Sequence, residues 1–247
     1  MTGILYFSST GNSLFIAQKV QKEFGGEVKY IPNYLGNGSE YDKIFIVTPI
    51  YSYGAPTFIC ELFEKLDSSK EIIVIQNYGG MIGGADYLLL KYAKEAGLNI
   101  KAIYTMKMPE NYTLNFSVPK FYLNSTLKKA DKRIDKIISR IKSKDLPLPK
   151  KCKTREKKYL KNKANWHIIG ERFSANEKCI KCKKCIEICP VNNISMQDGK
   201  IRFSDKCVAC LGCYHRCPKK AIVYLNKNKK SRYINPKIDE NLIGKDF

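Results

Sequence analysis

The sequence has no long apolar run and no recognisable export signal. Its apolar runs, such as Ile44–Val47 and Ile72–Ile75, span only a few residues, whereas a membrane-spanning helix needs about 20. The start, Met1–Tyr6, lacks the charged region and the cleavage site of a signal peptide. We therefore predict neither a membrane span nor secretion, and we expect a cytoplasmic protein.

Arginine and histidine are scarce. Arginine accounts for only 7 of the 44 basic residues. Proteins that read phosphates and bases favour the guanidinium fork, so a lysine-dominated excess is poor evidence for a nucleic-acid partner. The two histidines, His167 and His215, are too few for a di-iron centre, and we expect His215 to lie on the surface.

Acidic side chains are also few, which leaves a formal net charge of +21. Residues 1–145 carry 19 basic and 14 acidic side chains, while residues 146–247 carry 25 and 9. Lys150–Lys163 is a strongly basic run that suits a surface helix. The excess either attracts an acidic partner or reflects a compositional bias towards lysine, and the sequence leaves both open.

Strand and helix patterns alternate through the first 145 residues. Five short apolar runs predict strands, at Gly3–Phe7, Glu27–Ile31, Lys43–Thr48, Glu71–Gln76 and Ile100–Met106. Apolar residues at helical spacing predict four helices, at Asn12–Phe24, Pro56–Leu66, Asp86–Ala96 and Ser125–Lys142. This alternation is typical of an α/β domain with a parallel sheet and right-handed crossovers.

A proline-rich stretch, Leu146–Pro149, interrupts this pattern and predicts a domain boundary. The chain divides into an α/β domain at 1–145, a basic linker at 146–170, a cysteine module at 171–226 and a polar tail at 227–247. Trp166 is the only tryptophan. It falls in the linker, where we expect it to pack at the domain junction.

Cysteine is abundant, and eight of the ten cysteines lie within 39 residues. They form two copies of C-x2-C-x2-C-x3-C-P, which begin at Cys179 and, 28 residues later, at Cys207. Without an export signal, metal ligation is a better interpretation than disulfides. Zinc sites usually combine two separated C-x2-C pairs, whereas three cysteines within seven residues suit three corners of one iron–sulfur cube.

The fourth cysteine of each copy is expected to bind the other cluster, because this spacing directs it away from its own. The sequence therefore predicts two [4Fe–4S] clusters. One has the ligands Cys179, Cys182, Cys185 and Cys217, and the other has Cys207, Cys210, Cys213 and Cys189. The spacing resembles that of bacterial two-cluster ferredoxins. Four thiolates leave no iron open to a substrate, so we expect one-electron transfer; a purely structural role is the alternative.

A loop rich in hydroxyl groups follows the first strand. Its residues are Ser8, Ser9, Thr10, Gly11, Asn12 and Ser13. Hydroxyls and backbone N–H groups at a helix N-terminus form an anion site. The loop has no lysine and matches neither G-x-x-x-x-G-K-[ST] nor G-x-G-x-x-G, so it suits one phosphate monoester. The alternative is a helix cap without a ligand.

Two further loops leave the same edge of the predicted sheet, where open α/β sheets bind ligands. One carries Pro49, Tyr51, Ser52, Tyr53 and Gly54, and the other carries Asn77, Tyr78, Gly79 and Gly80. Their tyrosines and glycines suit a planar ring held between aromatic faces and backbone amides.

The first strand, the S-x-T-G-N-S loop, the following helix and the T-P-x-Y-x-x-G-x-P segment resemble the flavodoxin family over about residues 1–145. The resemblance implies a doubly wound five-stranded sheet of order 2-1-3-4-5 that binds FMN. It implies that the Ser8–Ser13 loop holds the phosphate, and that Tyr51–Gly54 and Asn77–Gly80 lie on opposite sides of the isoalloxazine.

The resemblance also makes Gly54 the candidate for the glycine near flavin N5. The segment Asn111–Leu123 has no clear counterpart, and we expect it to cover the site or touch the cysteine module.

The order of the two domains resembles the flavodoxin–ferredoxin fusion proteins of anaerobic bacteria and archaea. The leading hypothesis is an electron-transfer protein that relays electrons between FMN and two [4Fe–4S] clusters and on to an acidic redox partner, such as a ferredoxin, a flavodoxin or an oxidoreductase. The alternative is an iron–sulfur flavoenzyme that reduces a small molecule, such as a quinone, at FMN. A regulatory protein that uses the cofactors as sensors is a third hypothesis, and a homodimer stays open.

Overall fold

A five-stranded parallel sheet forms the centre of the N-terminal domain. The computed structural model describes residues 1–115, 117–227 and 231–247. The strands of this sheet are β1 (Thr2–Tyr6), β2 (Glu27–Tyr30), β3 (Lys43–Pro49), β4 (Glu71–Tyr78) and β5 (Ile100–Lys107). They pair in the order β2-β1-β3-β4-β5, and each pairing is parallel. The predicted strand order is therefore confirmed.

The central strands of this sheet are buried on both faces. Ile44–Val47 in β3 are fully buried, and Ile72–Ile75 in β4 are at most 2% exposed. The two runs lie side by side, with Ile44 opposite Ile72. Continuous apolar and β-branched runs of this kind favour strands that are covered by helices on both sides.

Helices cover both faces of the sheet. They are α1 (Asn12–Phe24), α2 (Thr57–Phe63), α3 (Ala85–Glu95), α4 (Lys120–Lys128) and α5 (Ala130–Lys142). α1 packs against α5, and α2 packs against α3. Because parallel crossovers return each chain segment to the start of the next strand, the loops after β1, β3 and β4 leave the same sheet edge.

The predicted single helix over Ser125–Lys142 is wrong. The structure has two helices there, α4 and α5, which are separated at Lys129. α4 already begins at Lys120, directly after Pro119. A proline at a helix start fits the first turn, whose N–H groups have no intrahelical partner, so Pro119 was the signal for the true start.

The cysteine module is a small α+β unit preceded by two helices. The two helices are α6 (Glu156–Ala164) and α7 (Trp166–Glu171). The module itself comprises β6 (Phe173–Ala175), α8 (Lys184–Glu187), β7 (Ile194–Gln197), β8 (Lys200–Phe203), α9 (Gly212–His215) and β9 (Ile222–Tyr224). β6 pairs with β9 and β7 pairs with β8, both antiparallel. Within the described residues, no helix combines the length and the apolar character that crossing a membrane requires.

The polar tail docks on the N-terminal domain over its described part. Residues 228–230 of the predicted tail lie outside the described residues. Phe247 and Val28 of the edge strand β2 exchange backbone hydrogen bonds of 2.8 and 3.0 Å. The buried Tyr6 hydroxyl accepts hydrogen bonds from the N–H groups of Gly244 and Lys245, at 3.0 and 3.2 Å. The tail therefore pairs with backbone groups that an uncovered edge strand would leave open.

Candidate cofactor sites

The two cysteine repeats fold in the same way. Lys181 and Lys183 have left-handed backbone angles, with φ of 58° and 60°, and so do Ala209 and Leu211, 28 positions later, with φ of 54° and 59°. The short helices α8 and α9 follow at the same offset. Left-handed residues turn the backbone sharply, and each loop therefore curls around a cavity of its own.

Each cavity is lined by three cysteines of one repeat and the fourth cysteine of the other. Cys179, Cys182, Cys185 and Cys217 line what we name the outer cavity. Cys207, Cys210, Cys213 and Cys189 line what we name the inner cavity. The structure thus brings together the same two sets of four that the spacing predicts.

The donor atoms around each cavity are thiols, which is the ligand type of iron–sulfur clusters. Within the described ranges, no group of three or more His, Cys, Asp or Glu is arranged to hold a single metal ion. Burial raises the pKa of Cys207 to about 11 and that of Cys210 to about 12. These thiols therefore keep their protons at neutral pH until a metal group displaces them.

The hydroxyl loop lies between β1 and the start of α1. All of its residues except Gly11 line a small cavity, and the Gly11 N–H donates to Ser8 Oγ at 2.9 Å. Asn111 Nδ2 donates to Ser9 Oγ and Thr10 Oγ1 at 3.3 and 3.2 Å. The loop therefore offers hydroxyls and amides at a helix N-terminus, and an anion there would be held by the helix dipole and hydrogen bonds.

Two of the predicted site residues hold neighbouring segments in place. Asn12 Nδ2 donates to the Pro109 carbonyl at 3.0 Å, and Asn12 Oδ1 accepts from the Tyr233 hydroxyl at 2.7 Å. Asn77 Nδ2 donates to Ser13 Oγ at 2.7 Å. Asn77 thereby connects the end of β4 to the start of α1 and holds Ser13, the last residue of the hydroxyl loop.

A cleft of about 750 Å³ opens beside the hydroxyl loop at the domain junction. The predicted ring-binding loops line one side of it with Tyr51, Ser52, Tyr53, Tyr78, Gly79 and Gly80. The other side comes from the second half of the chain, with Lys158, Trp166, Ile169, Arg172 and Ala209. Clefts of this size with aromatic walls and a few polar groups are typical binding sites for small molecules.

The loop after β3 ends in a tight turn between Tyr51 and Gly54, which exchange backbone hydrogen bonds of 2.7 and 3.0 Å. Ser52 and Tyr53, at its tip, both have positive φ, 50° and 76°, as a type I′ turn requires. A Cβ at Gly54 would lie 2.4 Å from the Tyr159 ring of α6. Position 54 therefore requires glycine, because the linker helix packs directly on it.

Trp166 belongs to the cleft, although the sequence did not assign it to a site. It is 3% exposed, and its ring meets Tyr51 edge-on with centroids 6.5 Å apart. The prediction that Trp166 packs at the domain junction is confirmed. Its role in lining the cleft depends on how the two halves of the chain meet, and no local pattern in the sequence reveals that.

One short stretch of backbone separates the cleft from the inner cavity. Ala209 lines the cleft, while its neighbours Val208 and Cys210 line the inner cavity. A Cβ at Gly212 would lie 3.6 Å from Ser9 Cβ. The hydroxyl loop, the cleft and the inner cavity are therefore direct neighbours.

The prediction that His215 lies on the surface is wrong, because it is 4% exposed. Its Nε2 donates to the Asn111 carbonyl at 2.7 Å, and its Nδ1 accepts from the Tyr233 N–H at 3.1 Å. This pairing fits the neutral ring, and burial lowers the pKa of His215 to about 4. His215 thus joins the cysteine module, the N-terminal domain and the tail.

The segment Asn111–Leu123 touches the cysteine module, as expected, and it also contributes to the lining of the cleft. Asn111, Tyr112 and Asn115 line the cleft. Leu114 is fully buried in the core of the cysteine module. Phe116 of this segment lies outside the described residues.

The second half of the chain matches a known family. Residues 150–222 match the family model described as the 4Fe-4S dicluster domain. The chain therefore has a flavodoxin-like strand order in its first half and a match to the 4Fe-4S dicluster domain in its second, an order consistent with a flavodoxin–ferredoxin fusion. A comparison with curated proteins found no match.

Solved structures similar to the flavodoxin-like domain include three flavoproteins. A flavoprotein from Lactobacillus acidophilus in complex with FMN is 20% identical over 42% of this chain and 91% of its own, with a TM-score of 0.36. The flavodoxin of Megasphaera elsdenii is 19% identical over 42% of this chain and 85% of its own, with a TM-score of 0.37. A flavodoxin from the domain Archaea is 16% identical over 56% of this chain and 98% of its own, with a TM-score of 0.36. At these values the fold assignment depends on the strand order described above.

We expect His215→Leu to lower the melting temperature of the holoprotein by about 5–15 °C. Leucine leaves the Asn111 carbonyl and the Tyr233 N–H buried without a partner, at a cost of about 1–3 kcal/mol each. In a chain of this size, 1 kcal/mol corresponds to about 2–4 °C. Calorimetry measures the change.

The matched control is His167→Leu, since His167 is half-exposed and its ring has no hydrogen bond within the described part of the chain. An equal loss of melting temperature in the two variants would contradict the bridging role of His215.

Proposed function

We propose that the protein is an electron-transfer protein in which FMN occupies the cleft and [4Fe–4S] clusters occupy the inner and outer cavities. The observation that carries the proposal is the shared wall at Ala209, which makes the cleft and the inner cavity neighbours. FMN, when bound, supplies one- and two-electron chemistry, whereas each cluster exchanges single electrons. A chain that holds both groups side by side can divide a two-electron event into single steps.

The cleft supports FMN as its occupant through its aromatic walls. Tyr51, Tyr78 and Trp166 line it, and aromatic faces favour a planar heterocycle. Burial raises the pKa of Tyr51, so its hydroxyl stays protonated. That hydroxyl lies 3.1 Å from Ser9 Oγ, which connects the ring-binding side of the cleft with the hydroxyl loop.

The hydroxyl loop supports a phosphate monoester at the end of the same ligand. Its small cavity and the large cleft share the lining residues Tyr51, Gly79 and Asn111. Glu110 also lines this cavity, but its carboxylate accepts hydrogen bonds from the N–H groups of Asn111 and Tyr112 at 3.0 and 2.9 Å. One oxygen of this carboxylate, Oε1, is therefore held by the backbone.

The linker helix α6 holds the ring-binding turn in place. The Tyr159 hydroxyl donates to the Ala55 carbonyl at 2.8 Å. The Arg155 guanidinium lies 4.8 Å from the centroid of the Tyr53 ring, a cation–π distance. We infer that α6 excludes water from this side of the flavin and restricts movement of the turn at Gly54.

The two cysteine sets support one cluster in each cavity. The cross-contributed sulfurs also accept backbone hydrogen bonds, from Asn193 to Cys189 Sγ and from Ala221 to Cys217 Sγ, both at 3.2 Å. Hydrogen bonds to cluster sulfurs stabilise negative charge and contribute to the reduction potential. Because they occur at equivalent positions, this contribution should be similar for both clusters.

An acidic redox protein is the proposed external partner. Residues 146–247 carry 25 basic and 9 acidic side chains, and two oxidised clusters would offset only about four of these charges. The remaining excess steers acidic proteins towards this half of the chain.

We expect anaerobic reconstitution to yield about one FMN and about eight iron atoms per chain, as two four-iron clusters require. Reductive titration followed by visible absorption and EPR should then show flavin and clusters reduced over overlapping ranges of potential. About four iron atoms per chain, or no bound flavin, would contradict the proposal. Multiple turnover with a quinone in the absence of a carrier protein would favour the flavoenzyme alternative.

We expect Thr10→Val to weaken FMN binding about tenfold or more and to leave riboflavin binding unchanged. Valine keeps the shape of threonine but removes a buried hydroxyl, and a hydrogen bond to a charged group contributes about 1.5–3 kcal/mol. Quenching of flavin fluorescence, on titration of each flavin with flavin-free protein, measures both affinities.

Thr2→Val is the matched control, since Thr2 lies at the start of β1, at the opposite edge of the sheet. If riboflavin lost as much affinity as FMN in Thr10→Val, the assignment of the phosphate to this loop would be wrong.

A further inference from the structure

The outer cavity is the more accessible of the two. Cys182 is exposed, whereas all four cysteines of the inner cavity are half-buried. The flavodoxin-like domain shields the inner cavity, because Val208 is buried as part of that domain's core. α7 shields it as well, since a Cβ at Gly170 would lie 2.4 Å from Cys207 Cβ. A protein in solution can therefore approach the outer cavity more closely.

Lysines surround the opening of the outer cavity. The segments 177–187 and 217–220, which carry its cysteines, contain six lysines and two glutamates. Lys183 and Lys219 line the cavity and are exposed. Lys184 forms an ion pair with Glu240. The other five lysines have no ion pair within the residues that the structure describes, so their charges face solvent.

An exposed apolar side chain lies among these lysines. Ile180 is 57% exposed and lines the outer cavity beside Cys179 and Cys182. Protein interfaces combine an apolar centre with a polar rim, and this arrangement repeats that pattern on a small scale. We name this surface the lysine patch, and it comprises Lys178, Ile180, Lys181, Lys183, Lys219 and Lys220.

We propose that the lysine patch is the docking surface for a small acidic ferredoxin, and that the outer cavity is where the ferredoxin delivers its electron. The inference rests on the proposed function. The ferredoxin gives up one electron and is oxidised, the cluster held by the outer cavity gains that electron, and no bond or proton changes. The inner cavity then lies between this entry point and the cleft.

An acidic protein suits this patch better than nucleic acid does. All five cations of the patch are lysines, whereas readers of phosphates and bases use the forked guanidinium. Arg216, which lies between Cys213 and Cys217, is 7% exposed and its guanidinium donates to the Glu240 carbonyl. It therefore contributes little to the outer surface.

The test uses the holoprotein and an acidic plant-type [2Fe–2S] ferredoxin. We expect the triple variant Lys178→Gln/Lys183→Gln/Lys219→Gln to slow the second-order reaction with reduced ferredoxin at least tenfold at low ionic strength, because electrostatic steering accelerates association by such factors. The difference should vanish at about 1 M salt. Calorimetric titration with oxidised ferredoxin, in which no electron moves, should show the same loss of affinity.

The matched control removes three exposed lysines at the opposite sheet edge, Lys22→Gln/Lys65→Gln/Lys94→Gln. These residues lie at or just beyond the ends of α1, α2 and α3, and the net charge falls by the same amount. If both triple variants slowed the reaction equally, the effect would come from net charge alone, and the proposal would be overturned. Unchanged binding in the patch variant would place docking elsewhere, such as the flavin cleft, and would also overturn it.

The flavin absorbance separates this inference from the proposed function. If the patch variant loses ferredoxin binding but the flavin of the unmodified protein is never reduced, the docking site stands and the flavin–cluster exchange fails. If the flavin is reduced equally fast in both triple variants, the exchange stands and the docking site fails.

Discussion

The contact between the Cys207–Cys213 loop and the flavodoxin-like domain places the cleft and the inner cavity side by side. Val208 is buried in the core of that domain together with Trp166, and Gly212 packs on Ser9 of the hydroxyl loop. Domains on flexible linkers usually move relative to one another. Here the backbone of one domain forms a wall of the other domain's cleft, so the inner cavity and the cleft lie next to each other.

The basic linker adds further contacts between the two halves of the chain. Tyr159 is fully buried and covers Gly54, while Glu156 accepts hydrogen bonds from Lys91 and Tyr92 at 3.0 and 3.1 Å. Lys157, Lys158 and Lys161 of α6 are exposed. The helix thus both holds the ring-binding turn and adds positive charge near the cleft.

Local patterns in the sequence predicted the elements whose structure is locally determined. The cysteine spacing anticipated which four cysteines line each cavity, and buried apolar runs predicted the five strands. Contacts between residues far apart in the sequence could not be predicted in this way. His215 meets Asn111 across 104 residues and Tyr233 meets Asn12 across 221, so neither the burial of His215 nor the docking of the tail has a local signal. The second wall of the cleft was missed for the same reason.

The proposed relay requires that flavin and clusters exchange electrons within one chain. This can be tested by flash photoreduction of the anaerobic holoprotein, followed at flavin and cluster wavelengths over a tenfold range of protein concentration. Exchange within one chain gives a first-order equilibration whose rate constant does not change with protein concentration. A rate constant that rises in proportion to protein concentration would show that the exchange occurs between chains, and the relay within one chain would be wrong.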